Sequence, residues 1–148
     1  MDYRVRRLAT SDITSMREML AMFGVAFEDV AYSERPPSEA YLRAFLKRDD
    51  TITLAALSGD AVVGGLVAYV LTKFEQERSE IYIYDLAVAH DHRRKGIATA
   101  LISELRSIAA TAGAYVIFVQ ADPPDAPAVA LYESLGTRED VLHFDIDV

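Results

Sequence analysis

The chain has 148 residues, 51% hydrophobic and 26% charged, the composition of one ordinary globular domain and not of a disordered chain. Twenty-three acidic residues against 15 basic ones give a net charge of −8, which disfavours nucleic acid and anionic lipid as partners and favours cations. The absence of cysteine excludes a disulfide framework, a thiolate nucleophile and a cysteine zinc site; with no charge-free apolar run near about 18 residues and no signal-peptide core, the expectation is a cytoplasmic enzyme with no membrane partner.

Tyr3 to Leu8 alternates and reads as a first strand. Thr10, Ser11 and Asp12 offer N-caps for a helix through Phe23, stopped by Gly24, with Ile13, Met16, Met19, Leu20 and Phe23 as its apolar stripe. A loop that can hold a helical turn follows to Pro37. Ser38 then caps a helix from Glu39 to about Arg48, with Tyr41, Leu42, Phe45 and Leu46 as its buried face. Ile52–Leu57 and Ala61–Leu71 are apolar runs joined by Ser58-Gly59-Asp60, a hairpin signal. Gly64 and Gly65 in the second run indicate a bulge or a close backbone approach.

Ser79–Val88 is the next strand, and the basic loop after it leads into a helix that runs from Gly96 to about Gly113. Tyr115–Gln120 reads as a buried strand, Asp125 caps a helix through Leu135, and Val141–Ile146 alternates as a last strand. No internal repeat or linker interrupts this order. It predicts a single α/β domain spanning 1–148, with one mixed sheet, antiparallel in its first half, and helices on both faces.

The loop His92-Arg93-Arg94-Lys95-Gly96-Ile97-Ala98 carries the strongest chemical signal. The first N–H groups of a helix lack internal acceptors, and its dipole adds partial positive charge there. Gly96 admits a phosphate to the backbone, Ala98 keeps the next turn slim, and Arg93, Arg94 and Lys95 supply cations. A phosphorylated ligand is indicated. The spacing fits neither a P-loop nor a dinucleotide fingerprint.

On strand Glu80–Val88, the period of two puts Glu80, Tyr82 and Tyr84 on one face and Ile81, Ile83 and Asp85 on the other. Asp85 would then point into the core, at a cost of several kcal/mol. A β-bulge near Asp85 or Leu86 would turn it out.

Arg93-x-x-Gly96-x-Ala98, set between strand and helix, resembles the pyrophosphate loop of the GNAT superfamily of acetyl-CoA-dependent N-acetyltransferases, whose element order the chain also follows. The resemblance implies the GNAT fold, with the strand ending at Val88 splayed from its parallel neighbour to leave a cofactor slot. It implies acetyl-CoA as cosubstrate, contacted by Leu86, Ala87 and Val88 and by Arg93, Arg94, Lys95, Gly96, Ile97, Ala98 and Thr99. Ala128 to Gly136 resembles the family's helix whose tyrosine meets the cofactor sulfur, so Tyr132 is implied as the acid that protonates the departing thiolate. Asp125 and Thr137 stand where the family usually has Asn and Phe. Where relatives often carry a carboxylate, this chain has Tyr82 and Tyr84, so the base falls to Asp85, Glu80 or a relaying Tyr84; His143 is a further candidate.

Phe27–Val30, Lys73–Gln76, Ser79–Val88, Val119–Asp122 and His143–Asp147 resemble type I aminoglycoside 3-N-acetyltransferases, the gentamicin acetyltransferases. That implies transfer to the 3-amino group of 2-deoxystreptamine aminoglycosides, and hence antibiotic resistance. Such a polycation suits the carboxylates of Glu28, Asp29, Glu80, Asp122, Asp145 and Asp147, the hydroxyl of Tyr32 and the imidazole of His143. A homodimer is implied by the resemblance alone. Two other readings stay open: an acetyltransferase of another amine, such as a polyamine or peptide, and a non-catalytic acyl-CoA-binding module. His90, His92 and His143 complete no recognisable metal set.

Overall fold

The structure, a computed structural model, describes residues 2–148 and divides them between two compact units, residues 2–118 and 119–148. The elements run β1 (Arg4–Arg7), α1 (Ile13–Ala26), α2 (Ala31–Glu34), α3 (Glu39–Lys47), β2 (Thr51–Ser58), β3 (Ala61–Thr72), β4 (Ser79–Val88), a 3-10 turn (His90–His92), α4 (Ile97–Ala112), β5 (Ala114–Val119) and α5 (Ala126–Leu135). The five strands form one sheet in chain order. β1 to β4 pair antiparallel, whereas β4 reaches β5 through the α4 crossover, which makes those neighbours parallel. The sheet is mixed and mostly antiparallel, the GNAT arrangement.

Gly64 and Gly65 show how both faces are covered. A Cβ on Gly65 would run into Met19 and Phe23 of α1, and one on Gly64 would lie 2.8 Å from Ile97 of α4. Successive strand residues point to opposite faces, so α1 and α4 pack on opposite sides. Met16, Met19 and Phe23 of α1, Leu42 of α3, and Ala55 and Val67 of the sheet form the core on the α1 side. Ile97, Leu101, Ile102, Leu105 and Ala109 are the buried stripe of α4.

Local signals acted largely as read. The Ser38 hydroxyl accepts from the Tyr41 N–H at 3.1 Å, and the Asp125 carboxylate accepts from the Ala128 N–H at 3.3 Å. Gly113 closes α4 at φ +75°. Four expectations need correction. The first helix does not stop at Gly24 but continues to Ala26; the glycine serves packing instead, since an added Cβ would lie 2.8 Å from the Tyr32 Cβ. Tyr41 is exposed, and only Leu42, Phe45 and Leu46 of α3 face the core.

β5 is a sheet edge with Tyr115 and Val116 exposed, not a buried strand. Residues 137–148 take no regular structure. Alternation makes a segment competent to form a strand, but a strand also needs a neighbour to receive its N–H and C=O groups. Val141–Ile146 belongs to no ladder among the described residues.

No helix among the described residues is long and apolar enough to cross a membrane.

Candidate active site

The β3–β4 ladder settles the orientation of Asp85. Val67 stands opposite Asp85, yet its neighbour Ala68 stands opposite Ile83, so β4 contains one residue more than β3 and Tyr84 is the bulge. Because paired residues share a face, Asp85 lies with Val67, Tyr69 and Tyr82 on the α1 side. Ile81, Ile83 and Leu86, paired with Val70, Ala68 and Leu66, lie on the other. The expected bulge exists one residue earlier than Asp85, and it moves the carboxylate off the isoleucine face.

Asp85 makes no ion pair among the described residues. Burial pushes its carboxyl above the ordinary carboxylate range, with no hydrogen bond or nearby cation to oppose that. Three phenols register its charge. Tyr32, Tyr69 and Tyr82 are all raised, chiefly by burial, with Asp85 among the further causes in each. Tyr32 reaches this group from α2, and its loop is shaped by Glu28 at φ +53° and by Asp29, whose carboxylate accepts from the Ala31 N–H at 3.0 Å. Tyr84 is 65% exposed, open to an incoming molecule.

Glu80 is engaged elsewhere. Its carboxylate accepts a 2.6 Å hydrogen bond from the Tyr115 hydroxyl and lies 3.8 Å from the Lys73 ammonium. The Arg78 guanidinium covers the Tyr115 ring at 3.7 Å. This cluster ties β4 to β5, whereas Asp85 stands free of such bonds.

Downstream of β4, Gly96 precedes α4 in the left-handed region at φ +80° and offers no side-chain cap. The first internal bond of the helix is from the Ala100 N–H to the Gly96 carbonyl at 2.9 Å, so the N–H groups of Ile97, Ala98 and Thr99 precede any internal acceptor. Arg94 is held at φ +62°, a conformation unusual for a residue with a side chain. Arg94 and Lys95 are exposed, and His92 has a buried Nδ1 without a partner. Arg93 turns back, its Nε donating to the Val88 carbonyl at 3.2 Å. Free helix N–H groups, a left-handed glycine and two exposed cations form a donor set suited to a diphosphate.

Within the second unit, Tyr132 lies on α5 and is partly buried. Burial, then the charge of Asp125, raises its phenol. Asp122 is exposed in the turn before α5, and His143 and Asp145 are exposed partners 2.9 Å apart.

The structure thus gathers Asp85, Tyr84 and Tyr32, adds Tyr69, which the sequence reading missed, and holds Glu80 in a different network. Tyr69 looks like one more half-buried residue of an apolar strand. Only the bulge in the neighbouring strand brings it beside a carboxylate.

Comparison with known proteins agrees with this geometry. The model of the acetyltransferase (GNAT) family matches residues 15–137. The crystal structure of HMB0005, an aminoglycoside acetyltransferase from an uncultured soil metagenomic sample, is 57% identical, covers 100% of this chain and 99% of its own, and superimposes with a TM-score of 0.98. Another soil metagenomic aminoglycoside acetyltransferase, meta-AAC0020 in complex with sisomicin, is 30% identical over 99% of this chain and 97% of its own, with a TM-score of 0.93. The [ribosomal protein bS18]-alanine N-acetyltransferase of Escherichia coli K12 is 30% identical over 76 residues, 51% of this chain and 50% of that protein. By that alignment the chain spans about half the length of the curated relatives it matches. The fold, the loop and the family match agree: this chain belongs to the GNAT family of acetyltransferases.

Proposed function

We propose that the protein acetylates the 3-amino group of 2-deoxystreptamine aminoglycosides with acetyl-CoA, in the cytoplasm, as one catalytic domain. The observation that carries this reading is Asp85, a half-buried carboxylate with no ion-pair partner among the described residues, with phenols beside it on the α1 side of the sheet. Such a group suits a cationic amine that must lose a proton before it can attack. The 57% identity with an aminoglycoside acetyltransferase supports the substrate class. The resemblance of the site segments to type I 3-N-acetyltransferases supports the position.

Acetyl-CoA supplies the acetyl group as a thioester. Its diphosphate suits the N–H groups of Ile97, Ala98 and Thr99 and the cations Arg94 and Lys95, with Gly96 keeping the approach open. Leu86, Ala87 and Val88 offer backbone groups to its arm, although the Val88 carbonyl already accepts from Arg93. Asp85 takes the proton of the acceptor ammonium, either directly or through water. As the new N–C bond forms and the C–S bond breaks, the Tyr132 phenol gives its proton to the thiolate, and the attacking nitrogen releases its second proton to water, from which the phenolate is reprotonated. Glu28, Asp29 and Tyr32 meet the polycation from the α1–α2 loop, and Asp122, His143 and Asp145 add polar contacts. Glu80 holds Tyr115 and Lys73, which leaves Asp85 as the base of choice.

The exposed alternation of Val141, Leu142, Phe144 and Ile146 supports a homodimer in which this segment completes a sheet. The match to an alanine N-acetyltransferase favours a second reading, transfer to a peptide amine. Thiol release from acetyl-CoA with gentamicin, spermidine and a lysine peptide as separate acceptors tests both. Turnover with gentamicin, with the product acetylated at the 3-amino position by NMR, supports the first. Turnover with the peptide alone moves the function to the second, and none with any acceptor favours a binding module.

A further inference from the structure

We propose that Tyr69 is a positioning residue for Asp85, its ring bracing Tyr84 at the β4 bulge so that the carboxylate stays on the α1 side of the sheet. The inference rests on Asp85 being the base, as proposed above. Tyr84 has no residue opposite it on β3, since Asp85 pairs with Val67 and Ile83 with Ala68. A bulge residue lacks the ladder bonds that fix its neighbours, so its side chain must hold it. The Tyr84 ring meets Tyr69 edge-on at 5.9 Å and 90°, and Tyr82 at 5.5 Å and 68°.

Both braces are anchored in turn. Tyr69 meets Phe45 of α3 at 6.0 Å and 85° and rests on the α1-side core. Tyr82 stacks on Phe118 of β5 at 4.6 Å and 5°. Five rings therefore run in contact from α3 across the sheet to β5, with Tyr84 in the middle. Each edge-to-face pair contributes beyond its buried area. Without the bulge, the period of two would return Asp85 to the face of Ile81 and Ile83, where no acceptor could reach it.

Tyr69 also shields Asp85. By the ladder, Val67 is opposite Asp85 and Tyr69 is the next residue on that face, while Tyr32 of α2 and Tyr82 and Tyr84 of β4 supply the other titratable groups facing it. α1 contributes apolar Met19 and Phe23 to the same side. Removing the Tyr69 ring admits water to the carboxylate as well as loosening the bulge.

The test compares Tyr69→Leu, which keeps apolar bulk, with Tyr69→Phe, which keeps the ring, against wild type and Asp85→Asn. Two readouts are taken: steady-state kinetics across pH, and carbon-13 NMR titration of the Asp85 carboxyl, which needs no turnover. For Tyr69→Leu we expect kcat to fall about 10- to 100-fold, with the acetyl-CoA KM unchanged. The Asp85 titration should move to lower pH, and Tyr69→Phe should restore both. Tyr69→Leu that melts earlier but leaves kcat and the Asp85 titration in place overturns the proposal. So does Tyr69→Phe that behaves like Tyr69→Leu. If Asp85→Asn keeps wild-type turnover, the base assignment fails, and the NMR titration still decides whether Tyr69 controls the carboxyl.

Discussion

Asp85 pairs with Val67 across the β3–β4 ladder, one step out of phase with Ile83 and Ala68. That offset places a carboxylate on the sheet face where α2 brings Tyr32, in place of the core on the other side. If Asp85 is the base, Asp85→Asn should lower kcat by about 10²- to 10⁴-fold while acetyl-CoA binding, followed by calorimetry, stays at wild-type strength. The acid limb of kcat/KM for the acceptor should lie above the ordinary carboxylate range, because burial raises the Asp85 carboxyl. A limb in the ordinary range would assign it to another group.

The same burial sets a sign for stability. A carboxyl raised on folding favours the folded state while protonated. Its contribution is fully present below the unfolded pKa of about 3.9 and is lost as pH rises through the higher folded value. At neutral pH the ionised Asp85 therefore weighs against the fold. Asp85→Asn should melt above wild type at pH 7, and the gain should vanish toward pH 3. Thermal melts at both pH values check this, and a destabilised Asp85→Asn at pH 7 would show that the carboxylate has a stabilising partner.

Much of this arrangement was legible because it rests on local rules. The apolar runs marked β2, β3 and β4, Ser38 and Asp125 marked helix starts, and Arg93 to Ala98 marked a helix N-terminus. Asp85 gave itself away as a carboxylate on an apolar face, which forced the expectation of a bulge. The rest depends on partners distant in sequence. Gly24 reads as a stop unless Tyr32 is known to need its space. Tyr69 and Phe45 are ordinary half-buried aromatics until the fold stacks them against Tyr84. Val141–Ile146 carries a strand pattern, but pattern alone names no neighbour.

Arg94 separates cofactor binding from backbone conformation. Its φ of +62° costs a residue with a Cβ roughly 1–2 kcal/mol, which glycine escapes. Arg94→Gly should therefore fold at least as stably as wild type while losing one charge-assisted contact to a phosphate, worth about 1.5–3 kcal/mol. Acetyl-CoA Kd should rise about 10- to 100-fold with kcat at saturation little changed. Unaltered affinity would return the arginine to solvent and place the diphosphate elsewhere.

The segment after α5 supplies the remaining prediction. Leu142, Phe144 and Ile146 share one side of an alternating run and are 83%, 77% and 88% exposed, with Val141 at 67%. Burying a side chain of this size gains roughly 1.5–3 kcal/mol, so leaving four in water is a large standing cost that a neighbouring strand would remove. Completion of a sheet by a second copy also supplies partners for the backbone groups, which a helix or loop would not. Sedimentation should find a dimer at micromolar protein. The double variant Leu142→Asp and Phe144→Asp should shift it to monomer while leaving the far-ultraviolet spectrum of the rest intact. A wild-type monomer would overturn the dimer. If the exposed amides of 141–146 nevertheless exchange slowly with solvent in that monomer, their strand partner must lie within the same chain.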